Sequence, residues 1–328
     1  MGKSKITVFV IIIAMLAGVS LSGCGKKDTA KSGEPFRIGV DQLVEHDALN
    51  AAYKGFVDAL AEAGYVDGDK IKIDYQNAQG DQANANTIAQ KLVNDNNDLI
   101  LAIATPAAQA VANATKDIPI LVTAVTDPAA SGLVASNEAP QGNVTGTSDL
   151  NPVKEQIDLL KKLVPDARKI AILYCSSEVN SKIQADMAIE AATALGIESE
   201  EATISNTNEI QQVVESLIGK VDAIYAPTDN VIAKAMPTVA QVANANGLPV
   251  ICGEENMVEK GGLATYGIDY YELGKLTGKQ AVKIIEGTAT PAEMPIEYLS
   301  KDQYKLVVNE EVAAQLGIEI PADLQQDK

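Results

Sequence analysis

From Phe36 onwards, short β-branched apolar runs alternate with stretches whose apolar positions recur every three or four residues. That rhythm is the mark of a parallel sheet covered by helices. It predicts strands at Arg37–Val40, Lys70–Tyr75, Asp98–Ala104, Ile120–Val125 and Asn143–Thr147. Helices are predicted at Asp47–Gly64 and Asp81–Asn94, and a third opens at Thr105-Pro106. In the first helix Leu49, Tyr53, Phe56, Val57 and Leu60 share a face, and Gly64 closes it. The rhythm then restarts. Helices are predicted at Lys154–Leu163, Asn180–Leu195, Asn208–Ile218 and from Asn230 to Asn246, the last broken or restarted at Pro237. Strands alternate with them at Lys169–Tyr174, Ser199–Ile204, Asp222–Ala226, Leu248–Cys252 and Leu263–Ile268. A helix at Tyr271–Glu286 follows, and the stretch from Pro295 to Leu324 holds one or two strands and a short helix.

The expectation is an α/β chain of two flavodoxin-like, doubly wound parallel-sheet lobes, each with strand order 2-1-3-4-5, facing each other across a cleft. In that order Cys175 ends the first strand of the second lobe and Cys252 the fourth, with the third strand between them. Two strand spacings are roughly 9.5 Å, and a disulfide needs Cα atoms within about 7 Å. Both thiols are therefore expected to be free and buried.

Before Phe36 the pattern changes. Lys3 and Lys5 precede an apolar run from Ile6 to Leu21, which ends in Leu21-Ser22-Gly23-Cys24. This reads as a lipoprotein signal peptide over residues 1–23, with Cys24 taking the lipid. The run falls short of the roughly 20 residues of a membrane helix. Residues 24–35 read as a flexible tether, so the mature chain is expected outside the cytoplasmic membrane and anchored to it by acyl chains. The alternative is an ordinary signal peptide, or an anchor helix, with an incidental cysteine.

The 328 residues suggest two domains of ordinary size. The net charge is −18, and removal of residues 1–23 takes away two lysines and no acid, leaving −20. Such a surface does not seek nucleic acid or anionic lipid. One histidine cannot build a metal site, and no nucleotide-binding, zinc-protease or nucleophile-elbow motif is present. No catalytic residues, cofactor or metal are expected. With no Trp and three Phe, aromatic surface must come from the ten tyrosines.

Doubly wound sheets bind ligands beyond the carboxyl ends of their strands. Thr105 suits a helix N-cap and Pro106 the first helical position, leaving the amides of Ala107 and Ala108 to meet a carboxylate or phosphate. Thr126-Asp127-Pro128 repeats the grammar at the next strand end; either stretch can equally be a well-capped helix. Across the cleft Glu178, Asp229, Glu254 and Glu255 supply negative charge. Asp229, after the third strand of its lobe, is the first choice for an ammonium group, and it is also a natural N-cap. His46 is either a local hydrogen-bonding residue or a ligand contact. Among Tyr174, Tyr225, Tyr266, Tyr270 and Tyr271, one or two are expected to line the pocket.

Several stretches resemble a known family. They are Asn77-Ala78-Gln79-Gly80-Asp81, Ala104-Thr105-Pro106-Ala107-Ala108-Gln109, Thr123-Ala124-Val125-Thr126-Asp127-Pro128, Gly142-Asn143-Val144-Thr145-Gly146-Thr147-Ser148-Asp149, Ser177-Glu178-Val179-Asn180-Ser181 and Thr228-Asp229-Asn230. Together they resemble the ABC-transporter substrate-binding lipoproteins of the tryptophan/tyrosine-binding type, over about residues 36–320. The resemblance implies a type I periplasmic-binding-protein fold. The first lobe would be 36–149 plus about 270–298, and the second 150–269 plus about 299–328. It also implies aromatic amino acid cargo passed to a membrane permease driven by a cytoplasmic ATPase. The chain is expected to be a monomer. Thr105, Ala107 and Thr126 match positions around the cargo's carboxylate; Glu178, Asn180, Asp229 and Asn230 match the facing lobe. Gln42 and His46 match the first strand-to-helix loop, and Asp127, Ser177 and Glu254 fall in the same strand-end loops. A sugar or nucleoside cargo, or a sensory co-receptor, uses the same cleft and remains an alternative.

Overall fold

The computed structural model describes residues 34–325; the predicted signal peptide, Cys24 and all but the end of the tether lie outside the described residues. Two sheets organise the chain. The first holds β1 (Phe36–Gln42), β2 (Ile71–Asn77), β3 (Leu99–Ile103), β4 (Ile120–Val125), β5 (Val144–Ser148) and β11 (Glu297–Tyr298), in the order β11-β5-β4-β3-β1-β2. The second holds β6 (Lys169–Cys175), β7 (Glu198–Ile204), β8 (Ala223–Ala226), β9 (Val250–Cys252), β10 (Ala264–Gly267) and β12 (Lys305–Val308), in the order β12-β10-β9-β8-β6-β7. The 2-1-3-4-5 order holds in both lobes, and each gains an edge strand from the end of the chain. β11 runs parallel to β5, and β12 antiparallel to β10. The chain thus passes between the sheets three times, after β5, after β10 and after β11.

The helices are α1 (Asp47–Glu62), α2 (Gln82–Asn94), α3 (Thr105–Ala114), α4 (Val153–Leu163), α5 (Val179–Ala194), α6 (Ile210–Leu217), α7 (Asn230–Ala245), α8 (Glu255–Glu259), α9 (Tyr270–Ile285) and α10 (Glu310–Leu316). They cover both sheet faces, so β3 is buried along its whole length. α9 packs on α1 at backbone distance. A Cβ on Gly274 would lie 1.9 Å from the Ala52 carbonyl oxygen, and one on Gly55 2.0 Å from that of Tyr271. The late helix α9 is in this way seated on the first lobe.

Pro237 does not break α7, contrary to the sequence expectation. It stands exposed on the outer face, while Ile232, Ala233, Met236, Val239, Ala240 and Ala243 anchor both halves of the helix to the core. The proline forfeits one helical hydrogen bond, and tertiary burial outweighs that loss. Residues 207–209 form a 3-10 turn ahead of α6, and the short α8 has no signal in the sequence pattern. Cys175 and Cys252 are free and buried, with β8 lying between β6 and β9.

Candidate functional site

The strand ends of both sheets meet at an inner hollow. It is lined by His46, Leu49, Ala124, Thr126, Asp149, Asn180, Thr228, Asp229, Asn230, Ala233, Glu254 and Tyr270. Its volume is about 10 Å³, room for about one water. Beside it, sharing Asn230, opens an outer compartment of about 440 Å³. Leu43, Val44, Gln82 and Pro106 line it from one side, and Ser177, Glu178, Val231 and Lys234 from the other.

Backbone geometry at the first lobe's strand ends is unusual. Ala104, after β3, has φ 80° and ψ 151°, and Ala124, within β4, has φ 55°. Both are left-handed conformations that cost a residue with a Cβ on the order of 1–3 kcal/mol. They turn the chain immediately before Thr105 and just before Thr126. The expected cap shifts by one position: Ala104 is the N-cap of α3, and Thr105 is its first helical residue. The turn at Ala104 swings the threonine hydroxyl out of capping geometry, and Thr105 Oγ1 is buried without a partner. Ala108 N–H is spent on the Ala104 carbonyl at 3.0 Å, which leaves the first-turn amides of Thr105 and Ala107. Neither residue lines the inner hollow. Asp127 caps a turn and no helix: its Oδ1 accepts from the amides of Ala129 and Ala130 and from Asn137 Nδ2. Gln42 is buried; its Nε2 donates to the Val44 carbonyl and Asn50 Oδ1, and its Oε1 has no partner.

On the second lobe a tight network has formed. Asp229 Oδ2 accepts from Cys175 N–H and the Ser181 hydroxyl, both at 2.7 Å, and Oδ1 from Ile232 N–H at 2.8 Å. Both oxygens of the residue first favoured for the ammonium are therefore committed to the protein. Glu178 Oε2 accepts from Asn180 Nδ2, Asn230 Nδ2 and Asn230 N–H. Glu254 caps α8, its two oxygens accepting from Asn256 and Met257 amides. Burial raises Glu178, Asp229 and Glu254, the last to about 7. Ser177 is exposed at the rim, its hydroxyl 3.1 Å from Cys175 Sγ.

Contacts across the cleft hold the lobes together. His46 Nε2 lies 3.2 Å from Asn230 Oδ1. Asn230 spends its Nδ2 on Glu178, so its oxygen faces the ring, the Nε2–H donates, and Nδ1 is left as a buried acceptor with no partner. Burial lowers His46 to about 4, keeping it neutral. Gln184 Nε2 reaches Thr126 Oγ1 at 3.3 Å, and Lys260 pairs with Asp47 at 2.7 Å.

Of the residues named from the sequence, His46, Thr126, Asn180, Asp229, Asn230 and Glu254 share the inner hollow, as does Tyr270 alone of the five candidate tyrosines; Ser177 and Glu178 line the outer compartment. Asp149 as a site residue, and its link to Tyr270, were missed. Each lies at a crossing between the sheets, and the Tyr270 hydroxyl donates to Asp149 Oδ2 at 2.8 Å. A signal was available, since Asp149 lies two residues beyond the predicted strand Asn143–Thr147 and directly follows the observed β5. Gln184, buried inside α5, gave none.

Two hinged α/β lobes, closed on unpartnered polar atoms from both sides, are the build of a protein that encloses a small solute. The chain belongs to the ABC transporter substrate binding proteins, a family profile that matches residues 37–327, and its fold is the type I periplasmic-binding-protein fold. The family is one of solute-binding proteins, not enzymes. A "Tyrosine-binding protein" of Clostridioides difficile (strain R20291) is 46% identical over 97% of this chain and 94% of its own. A Streptococcus pneumonia ABC domain in complex with L-Trp is 44% identical, covering 89% of this chain and 97% of its own, with TM-score 0.85. A ligand-free, open substrate-binding protein with adhesive properties from Clostridium difficile is 48% identical, covering 88% of this chain and 96% of its own, with TM-score 0.67. The better superposition falls on the complex despite its lower identity, in keeping with lobes drawn together. Among the described residues no helix is long and apolar enough to cross a membrane, and no group of three or more acidic, histidine or cysteine side chains is placed to hold a metal ion.

Proposed function

We propose that this chain captures one aromatic amino acid, L-tryptophan or L-tyrosine, between its lobes. The observation that carries the reading is the set of buried polar atoms left without partners at the strand ends. These are Thr105 Oγ1, His46 Nδ1, Asn180 Oδ1 and Asp149 Oδ1. A buried polar atom without a partner costs about 1–3 kcal/mol, and a zwitterion offers both donors and acceptors. The carboxylate docks on the first-turn amides of α3 with Thr105, Ala107 and Thr126; Gln42 and His46 back this side. Glu178, Asn180, Asp229, Asn230 and Glu254 form the facing wall, with Asp127 and Ser177 at the edges. The aromatic ring extends into the outer compartment against Leu43, Val44, Pro106 and Val231, a surface that supplies apolar contact without aromatic stacking. The names of the two similar proteins, one tyrosine-binding and one in complex with L-Trp, support this cargo.

The inner hollow as it stands admits about one water, so loading requires the lobes to separate and reclose. Cargo then passes to a membrane permease powered by a cytoplasmic ATPase, from a monomer tethered outside the membrane by lipid on Cys24. Titration calorimetry with L-tryptophan, L-tyrosine, L-phenylalanine, ribose and adenosine tests the reading. Micromolar binding of an aromatic amino acid, weakened tenfold or more by Thr105→Val, is expected. Binding of ribose or adenosine alone would replace the amino acid by a sugar or nucleoside. Mass spectrometry of the mature chain from its native membrane reads the lipid on Cys24 directly.

A further inference from the structure

The carboxylates around the inner hollow are not equivalent. Asp229 and Glu254 each spend both oxygens on the protein's own donors. Asp149 does not: Oδ2 accepts from the Tyr270 hydroxyl at 2.8 Å, while Oδ1 is buried with no partner. Asp149 is 2% exposed and lines the hollow, as does Tyr270. Resting on the amino-acid reading above, we propose that Asp149 seats the cargo's ammonium group and that Tyr270 is the positioning residue that aims it.

A placement follows that differs from a zwitterion stretched between lobes. Asp149 follows β5, beside Thr126 at the end of β4, with its amide 3.3 Å from the Val125 carbonyl. The first lobe then gathers both charged ends of the cargo, and the second lobe closes over them with Asn180 and Asn230. Tyr270 opens α9 where the chain returns to the first lobe, so its hydroxyl ties the ammonium seat to the hinge. The titratable groups sharing the hollow are His46, Asp229, Glu254 and Tyr270. Burial raises Asp149 to about 6, and the hydroxyls of Tyr270 and Thr126 act against that rise. An ammonium requires the ionised form, so affinity should fall as the pH drops below about 6.

The test is calorimetry of the full mature chain at pH 7.5 with L-tryptophan, L-tyrosine and 3-(indol-3-yl)propionate, which lacks the ammonium. The wild type should prefer L-tryptophan to the deaminated acid at least a hundredfold, and Asp149→Asn should cut that preference below tenfold. Tyr270→Phe should weaken L-tryptophan binding three- to tenfold and move the acid midpoint of affinity upward, because the lost hydroxyl no longer favours the ionised carboxyl. Preference kept in Asp149→Asn overturns the seat while leaving amino-acid binding intact; a wild type that binds neither amino acid overturns the underlying function as well. Should Asp149→Asn fail to fold, an unmoved midpoint in Tyr270→Phe overturns the proposal by itself.

Discussion

Asp41 shows how far a single residue can depart from its pattern. In Phe36-Arg37-Ile38-Gly39-Val40-Asp41-Gln42 the alternation places Arg37, Gly39 and Asp41 on the polar side of the strand. The strand is central in a sheet covered on both faces, so the polar side is also core, and Asp41 is 0% exposed with neither oxygen hydrogen-bonded. Burial raises its pKa from 3.8 to about 8. A folded-state pKa above the unfolded value means that the native state holds the proton more tightly. The cost is therefore absent below about pH 4 and grows as the pH climbs towards 8. Asp41→Asn should stabilise the chain by roughly 3 kcal/mol at pH 8 and by little at pH 4, as read by urea unfolding at both values. An equal change at the two would show that the carboxyl is solvated. Asp149 escaped notice for a related reason. The sequence placed an acid after a strand, but which of several acids keeps an oxygen free depends on donors such as Ile232 N–H and Ser181, which only the folded chain supplies.

At the scale of elements the sequence was most readable where periodicity and burial agree. The 2-1-3-4-5 order follows from the alternation of strands and helices, and the helix from Asp47 to Gly64 lies over the observed α1, whose Leu49, Phe56 and Leu60 are buried. It was least readable where packing overrules a local rule. Pro237 is a helix breaker in isolation, yet α7 runs through it. The α1–α9 contact is a second such case. Glycine inside a helix reads as a weakness worth about 1 kcal/mol, yet Gly55 and Gly274 are what allow the two backbones to touch. Gly274→Ala should gain that propensity and lose far more, because its Cβ would fall 1.9 Å from the Ala52 carbonyl oxygen. The helices must then separate, and a net loss of about 2–4 kcal/mol is expected. Thermal unfolding checks it. Gly287→Ala is the contrast: nothing lies within 4 Å of its Cβ, and its penalty is the strain of φ 65° alone, about 1 kcal/mol.

For the whole molecule, the number of lobes can be read from the sequence, but how they stand towards each other cannot. The residues that join them, His46 to Asn230 and Asp47 to Lys260, are far apart in the chain, and nothing in the sequence pairs them. They also set the balance between closed and open forms, and apparent affinity scales with the competent fraction. The Lys260–Asp47 pair is the clean probe, because it bridges the lobes outside the hollow. Its side chains are 28% and 57% exposed, so it is worth about 0.5 kcal/mol. That is about a twofold change in an equilibrium constant. Lys260→Ala should accordingly raise the Kd for L-tryptophan about twofold in dilute salt. Adding Asp47→Ala should change little more, since the interaction is already gone. The effect should fade in 0.5 M sodium chloride, where the screening length is only about 4 Å. Solution scattering gives the structural counterpart: the radius of gyration without cargo should rise in Lys260→Ala and converge with the wild type once L-tryptophan saturates both. A tenfold loss of affinity, or a loss indifferent to salt, would mean that Lys260 acts on His46 or Glu254 inside the hollow, both of which feel its charge, and not on the closure of the lobes.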